Sequence, residues 1–430
     1  MSRVAYFQLR RLAGWLPALV VTLGLACTTM ERPRAKPAAT GAPSSPSPQT
    51  ATAAADRGVF DVVAYGANGQ DDLDDTLAVQ RAIDAAVREP GSVVQVPAGT
   101  YYLADRAPED SVSLRIDGAR RLTFSGAGID ATVFVLRSER DAHMIALSSC
   151  HDVSVSGFTL DGRREGRKDT HGLRVADSSD VRLTTLRIHS TAHYGIGLQQ
   201  GTLQRIWIEH VWIDDTGGDG IDFKNTENDN RDLVIRDVHI SRPGQTADKQ
   251  TGVDIRGPAQ LDDVFVSGVR SGATGIRFRE DGPDTGLGGH HSRLSRFKVE
   301  GDAGSSGVAI AADDVSIDSG VVVGTDTGVV MLGKSARVKD VAVRGARYAF
   351  RVTTEARDSR LVSCSGDSGR AGVWLEGANA IVQSSSFAHN RVCGVCVRPS
   401  ATALQLLSNH FEDNGVSVDD EGASTNIIPP

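Results

Sequence analysis

Gly172-Leu-Arg-Val175, Gly195-Ile-Gly-Leu198, Gly220-Ile-Asp-Phe223, Gly252-Val-Asp-Ile255 and Gly275-Ile-Arg-Phe278 repeat one pattern of glycine, apolar, any residue, apolar. The pattern continues at Gly307 and Gly328, weakens at Ala349-Phe-Arg-Val352, and returns at Gly372, Gly394 and Gly415. Successive copies stand 23, 25, 32, 23, 32, 21, 21, 23, 22 and 21 residues apart. A period of this size signals a solenoid. Each copy is strand-length and β-branched, with no helical periodicity between copies, so each unit reads as one coil of a parallel β-helix. Leucine-rich repeats have a similar period but need a Leu and Asn pattern that is missing here. The fold class is therefore all-β, a single-stranded parallel β-helix, right-handed by the strong preference of parallel crossovers.

Working outward, the chain divides into three parts. In residues 1–26, Arg3, Arg10 and Arg11 precede an apolar run from Leu12 to Ala26, too short and too early to span a membrane. The run ends in Leu23-Gly-Leu-Ala-Cys27, which resembles a bacterial lipoprotein signal cleaved before a lipidated Cys27. Plain secretory cleavage is the alternative. Residues 27–56 are rich in Pro, Ala, Ser and Thr and cannot bury enough surface to fold, so they read as a tether. Residues 57–430 form the β-helix domain. The chain is thus expected to be exported and anchored through lipid at the outer membrane or cell surface, or otherwise periplasmic or secreted. It is expected to be a monomer, and its net charge of −8 argues against nucleic acid as a partner.

At the front of the domain, Asp71-Asp-Leu-Asp-Asp-Thr76 leads into a helix near 75–89, with Leu77, Ile83, Ala86 and Val87 near one face. Pro90-Gly91 stops it, and the helix is suited to cover the first apolar layer of the stack. Four cysteines follow Cys27. Cys393-Gly-Val-Cys396 has the spacing of a redox or zinc half-site, but no second Cys or His pair completes one, so buried structural thiols are expected.

Side chains alternate along a strand, so in each copy the third residue and the one two later point outward. Down the stack these pairs read Arg174 and Ala176, Gly197 and Gln199, Asp222 and Lys224, Asp254 and Arg256, then Arg277 and Arg279. Later copies place Ala309, Val330, Arg351, Trp374, Cys396 and Ser417 there. The residue before each glycine adds His171, Tyr194 with His193 beside it, Asp219, Thr251 and Thr274. Long inserts at 162–170, 225–230, 241–251 and 280–292 fall near the same coils. Column and inserts together place a candidate cleft over the early coils, although a ladder of opposite charges can also simply solvate a sheet face.

Several stretches carry a family resemblance: Val62-Val-Ala-Tyr-Gly-Ala67, Asp72 to Asp75, Ala82-Ile83 and Val96-Pro-Ala-Gly-Thr-Tyr101. With them the chain resembles the pectate lyase-like superfamily, in the branch shared with rhamnogalacturonases and epimerases. That resemblance implies the β-helix and action on polysaccharides; it leaves the reaction open, because one scaffold serves many functions. Tyr194-Gly-Ile-Gly-Leu-Gln199, followed one coil later by Asp219-Gly220, is similar to bacterial mannuronan C5-epimerases and alginate lyases. Their Tyr and Asp are matched; Gly197 and Gln199 replace an Asp and a His, and Gln250-Thr251 replaces an Arg-His pair.

Both elimination and epimerisation remove the C5 proton of a uronate. They need a neutraliser for the neighbouring carboxylate, a base and an acid. Lys224, Arg256, Arg277 and a protonated Asp219 suit the first role; Tyr194 with His193 or His171 suits the others. Arg174, Gln199, Asp222, Lys224, Asp254, Arg256, Arg277 and Arg279 are the expected substrate-binding residues. A polygalacturonase-like hydrolase would instead pair carboxylates such as Asp222 and Asp254, and a non-catalytic glycan-binding surface protein would need neither. No cofactor or metal is implied. Calcium would need a compact acidic cluster, and none stands out beyond Asp72 to Asp75 and Asp229.

Overall fold

A computed structural model describes residues 58–428, apart from 106–110, 139, 225–230, 247–249, 283–287, 368 and 423–424. The leader, the tether and Cys27 lie outside the described residues, as does Asp229; the insert 225–230 does so wholly, and those at 241–251 and 280–292 in part. Thirteen parallel strands stack in chain order into one sheet, from Val112–Asp117 through Ile221–Phe223 and Thr251–Ile255 to Val416–Asp420. The remaining wall is built from longer parallel strands such as Ser178–His189, Leu203–Asp214, Arg231–Ser241 and Ala259–Val269. Each of these has a left-handed residue near its middle, Thr185 (φ 51°), His210 (54°), Asp237 (48°) and Asp263 (57°), and a second one nearer an end. This conformation is disfavoured for side chains other than Gly, Asn and Asp. Along these middle positions, His210 Nδ1 lies 2.6 Å from Asp237 Oδ2 of the next coil.

The two apolar residues of each tetrapeptide fill the interior. Ile221, Phe223, Val253, Ile255, Ile276 and Phe278 are all wholly buried. Burying two such side chains per coil contributes about 3–6 kcal/mol from this face alone, and in a solenoid such terms add coil by coil. The repeat glycine sits where the strand crosses the opposite wall. A Cβ on Gly220 would lie 2.6 Å from Gly252 O and 2.8 Å from Ile240 Cγ2, leaving no room for any other residue. The weak copy follows the same rule: where Ala349 takes the glycine position, Gly366 faces it, and a Cβ on Gly366 would stand 2.7 Å from the Ala349 methyl.

The helix spans Thr76–Val87 and buries Ala78, Val79, Ala82, Ile83 and Ala86 on the first coils. Leu77, expected on that face, is 54 % exposed, because the face is carried by Ala78 and Val79 one and two positions on. Gln80 closes the edge of the first strand of the sheet: its Oε1 accepts from Arg115 N and its Nε2 donates to Arg115 O, both at 2.9 Å. Asp74 Oδ1 accepts from Thr76 N at 2.9 Å, whereas the Asp75 carboxylate accepts from Asn68 N and Tyr102 N and ties the helix to the neighbouring chain.

Two expectations at the far end are corrected. Cys396 pairs in register with Asp419, so Asp419 holds the outward position expected for Ser417, and Ser417 takes the glycine place. Gly415 instead belongs to the turn, its amide donating to Asn390 O at 2.9 Å. Cys393 and Cys396 are not separate thiols but a disulfide, with Cα atoms 5.7 Å apart. Both sulfurs are buried, although alternation alone had pointed Cys396 outward. The other two cysteines, Cys150 and Cys364, are free and buried.

Candidate functional site

The kink at each glycine turns the residue before it and the second residue after it onto the same outer face. Their side chains therefore interleave, which strict alternation would not produce. Asp219 and Asp222, on either side of Gly220, bring carboxylate oxygens within 4.8 Å of each other and of Asp254 one coil below. Register confirms the outward column: Arg174, Gly197, Asp222, Asp254 and Arg277 pair in succession. The column of residues before the glycines begins one coil earlier than expected, at His143, whose strand pairs with that of Leu173.

The lower half of the site is an ion network. Asp254, with no exposed surface, accepts from Arg277 Nε at 2.9 Å, Arg279 Nε at 3.1 Å and Arg256 Nη2 at 2.8 Å. Burial pushes its carboxyl up, but Arg277 and Arg256 outweigh that and hold it down at about 2. Arg256 Nη2 also lies 3.2 Å from Asp222 Oδ1, without the alignment of a hydrogen bond. Gln199 Nε2 donates to Asp222 Oδ2, and Lys224 Nζ stands 3.9 Å from that oxygen. Burial raises the Asp222 carboxyl, against the opposing pull of Arg256. Asp219 Oδ1 accepts from the backbone N and Oγ1 of Thr251. Burial, then the charges of Asp254 and Asp222, push the Asp219 carboxyl up to about 7.

The upper half is imidazole and phenol. The His193 ring stacks on Tyr194 with centroids 3.7 Å apart, and the Tyr194 ring lies 4.8 Å from that of His171. His193 Nδ1 is 3.1 Å from Asp169 Oδ1, and His171 Nε2 is 3.3 Å from the same oxygen. Asp169 Oδ1 thus bridges His193 Nδ1 and His171 Nε2, which themselves stand 3.3 Å apart, and the His193 side chain is still 32 % exposed. Hydrogen bonding to His171 holds the Asp169 carboxyl well below its ordinary range. Burial, and then the Asp222 and Asp219 charges, push the Tyr194 phenol well above its ordinary value, so it is neutral and protonated. Burial lowers His171, and it lowers His143 to about 3. Gly197 makes this packing possible: a Cβ there would meet His171 Nδ1 at 2.9 Å. Around Gly197, His171 Nδ1, Arg174 Nε and Asp222 Oδ1 are buried without a hydrogen-bond partner. Such atoms mark where water or a ligand group enters.

The outward residues expected in the early coils reach this face, but they divide. Tyr194, His193, His171, Asp219 and Lys224 cluster, whereas Arg256, Arg277 and Arg279 converge on Asp254. Asp169 and His143 were missed. Asp169 lies in an insert with no repeat signal, and His143 precedes Met144 where later coils have glycine. The acidic triad also corrects the expectation that no compact cluster exists beyond Asp72 to Asp75. As a cation site it is compromised, since three guanidinium groups already face Asp254. His143, Asp169 and His171 also bring ligand atoms within 4.8 Å, but His143 Nδ1 already accepts from His171 N.

Residues 59–256 match the family described as rhamnogalacturonase A/epimerase, pectate lyase-like. Alginate lyase 7 of Azotobacter vinelandii is 28 % identical over 177 residues, covering 37 % of this chain and 20 % of the lyase. Mannuronan C5-epimerase AlgE3 of the same organism is 30 % identical over 179 residues, covering 38 % of this chain and 10 % of the epimerase. The chain thus spans a fifth or less of the length of these two relatives. Among solved structures, the A-module of the A. vinelandii mannuronan C-5 epimerase AlgE4 superposes with a TM-score of 0.55 at 17 % identity, over 86 % of this chain and 99 % of that module.

Proposed function

Since the chain belongs to the pectate lyase-like superfamily, we propose that its early coils act on a uronate-containing polysaccharide by removing the C5 proton, as a lyase or an epimerase does. The observation that carries this reading is the Asp169–His193 contact beside Tyr194. It is a base held by a carboxylate next to a neutral phenol, the arrangement that proton transfer requires.

In this mechanism His193 Nε2 takes the C5 proton, and Asp169 steadies the imidazolium that forms. The carbanion delocalises into the sugar carboxylate. That group's charge is met by Lys224 and Arg174 and by the protonated carboxyl of Asp219, which donates a hydrogen bond while it is neutral. In elimination, Tyr194 gives its proton to the leaving O4 as the C4–O4 bond breaks and the C4–C5 double bond forms. Because His193 and Tyr194 stand side by side, removal and delivery on one face suit the lyase. An epimerase would return a proton to C5 from the opposite face. Paired-carboxylate hydrolysis is less well supported, because Asp254 is held by three arginines. We place the protein in the cell envelope, tethered by lipid at Cys27; labelled fatty acid that persists in Cys27→Ser would refute the anchor.

The test of the reaction is a panel of polymannuronate, polyguluronate and polygalacturonate, with unsaturated-uronate absorbance and reducing ends followed separately. Rising absorbance identifies a lyase, and deuterium incorporation from heavy water at C5 without absorbance identifies an epimerase. Reducing ends alone would overturn the proposal in favour of hydrolysis, and no change in any polymer would overturn it in favour of binding only.

A further inference from the structure

The dense ladder of charge ends with the early coils, yet a second cluster stands on the same face further on. Gly197 and Trp374 belong to one column and are separated by seven register steps, through Asp222, Asp254, Arg277, Ala309, Val330 and Arg351. At about 4.8 Å per strand this is roughly 34 Å. Trp374 packs against Tyr348 with ring centroids 5.3 Å apart, over a floor formed by Ala371 and the Cys393–Cys396 disulfide. Cations surround the rings. The Arg398 guanidinium lies 4.5 Å and that of Arg370 5.8 Å from the Trp374 centroid, and Arg347 lies 5.1 Å from that of Tyr348.

These cations differ in how far they are already neutralised. Arg398 is bonded to Asp419 and Glu421. Arg370 has no carboxylate within ion-pair distance among the described residues, and its Nε is buried without a hydrogen-bond partner. A half-buried aromatic face beside an uncompensated guanidinium is the chemistry that receives an acidic sugar: the ring takes the apolar face of the pyranose, and the guanidinium takes its carboxylate. Between Arg277 and Arg351 the two columns carry only small or β-branched residues, Ala309 and Val330 in one and Ser306 and Thr327 in the other, and Arg351 is paired with Glu376.

We propose that Tyr348, Trp374 and Arg370 form a remote subsite that holds an acidic polysaccharide already engaged at the His193–Tyr194 pair. The proposal rests on the reading of the substrate as a polyuronate and adds to it a length requirement. A separation of roughly 34 Å is spanned only by a chain of several sugars. The subsite therefore contributes to the binding of polymer and contributes nothing to short oligomers.

The experiment uses the full chain in affinity electrophoresis through gels containing polymannuronate, polygalacturonate or a neutral glucan. Activity is measured in parallel on polymer and on uronate trimers. Trp374→Ala and Arg370→Ala should each weaken retardation by the polyuronate about tenfold, a change of ~1.4 kcal/mol. They should raise KM for polymer by the same factor, and leave kcat and trimer kinetics unchanged. The Arg370→Ala effect should shrink as salt rises. Trp374→Phe, which keeps an aromatic face, should bind close to wild type and serves as the folding control. Wild-type retardation by polyuronate that survives in both alanine variants overturns the subsite alone. Wild type retarded only by the neutral glucan, or by nothing, overturns the substrate class and the subsite together.

Discussion

The two clusters occupy one face of one sheet and share its columns, yet their charges behave differently. In the early coils Asp222 and Asp254 have no exposed surface, and the guanidinium of Arg256 beside them is 11 % exposed. In the later coils the corresponding pair, Arg351 with Glu376, is 42 % and 21 % exposed. Position in the repeat is the same; desolvation is not. Where water is excluded, a carboxylate must be matched by cations or keep its proton, and Asp254 and Asp219 illustrate the two outcomes within one triad. Where water remains, ion pairs contribute little and the aromatic rings supply the distinctive chemistry.

The comparison is sharpened most by Tyr194→Phe. The change removes one hydroxyl, so folding should be retained while activity falls by about 10²–10⁴-fold, the range for losing a general acid or base. Full activity in this variant would transfer the chemistry away from the early coils altogether. Next comes stability. Asp254→Ala removes the buried carboxylate that three guanidinium groups share and should cost about 3–5 kcal/mol, whereas Glu376→Ala on the more exposed pair should cost about 0–1 kcal/mol. Denaturant unfolding of the two variants measures this directly, and equal costs would refute the difference in desolvation. The Asp254 contribution is present above the unfolded carboxyl value near 4 and is lost as pH falls through about 2.

A third test concerns Asp219, whose shift has the opposite sign. Its folded carboxyl titrates at about 7, above its unfolded value. Its stabilising contribution is therefore complete below about pH 4 and is lost as pH rises through about 7. Asp219→Asn removes that titration while Oδ1 still accepts from Thr251. Its melting temperature relative to wild type should rise as pH is taken from about 5 to about 8. A difference that does not change with pH would show that the Asp219 carboxyl is not displaced.

Much of the fold was legible because its causes are local. Each Gly-apolar-x-apolar copy carries its own inward pair, and even the weak copy at Ala349 kept its register, since Gly366 makes the space its methyl needs. Where the cue failed, it failed for a physical reason: Gly415 belongs to a turn, and His143 precedes a methionine that shows no repeat. The candidate site was half legible. Tyr194, His193, His171 and Asp219 could be stacked on paper, because coil spacing converts sequence period into distance.

By itself, then, the sequence determined the solenoid, the columns and the residues that share a face, because alternation and period act over a few residues at a time. Tertiary structure alone decided which of those residues cooperate. The kink at each glycine brings Asp219 to Asp222 and closes Cys393 on Cys396, and an insert delivers Asp169 to His193. Covering one stretch of the face excludes water there, and the energy of a charge depends on that exclusion, which no single strand of sequence contains.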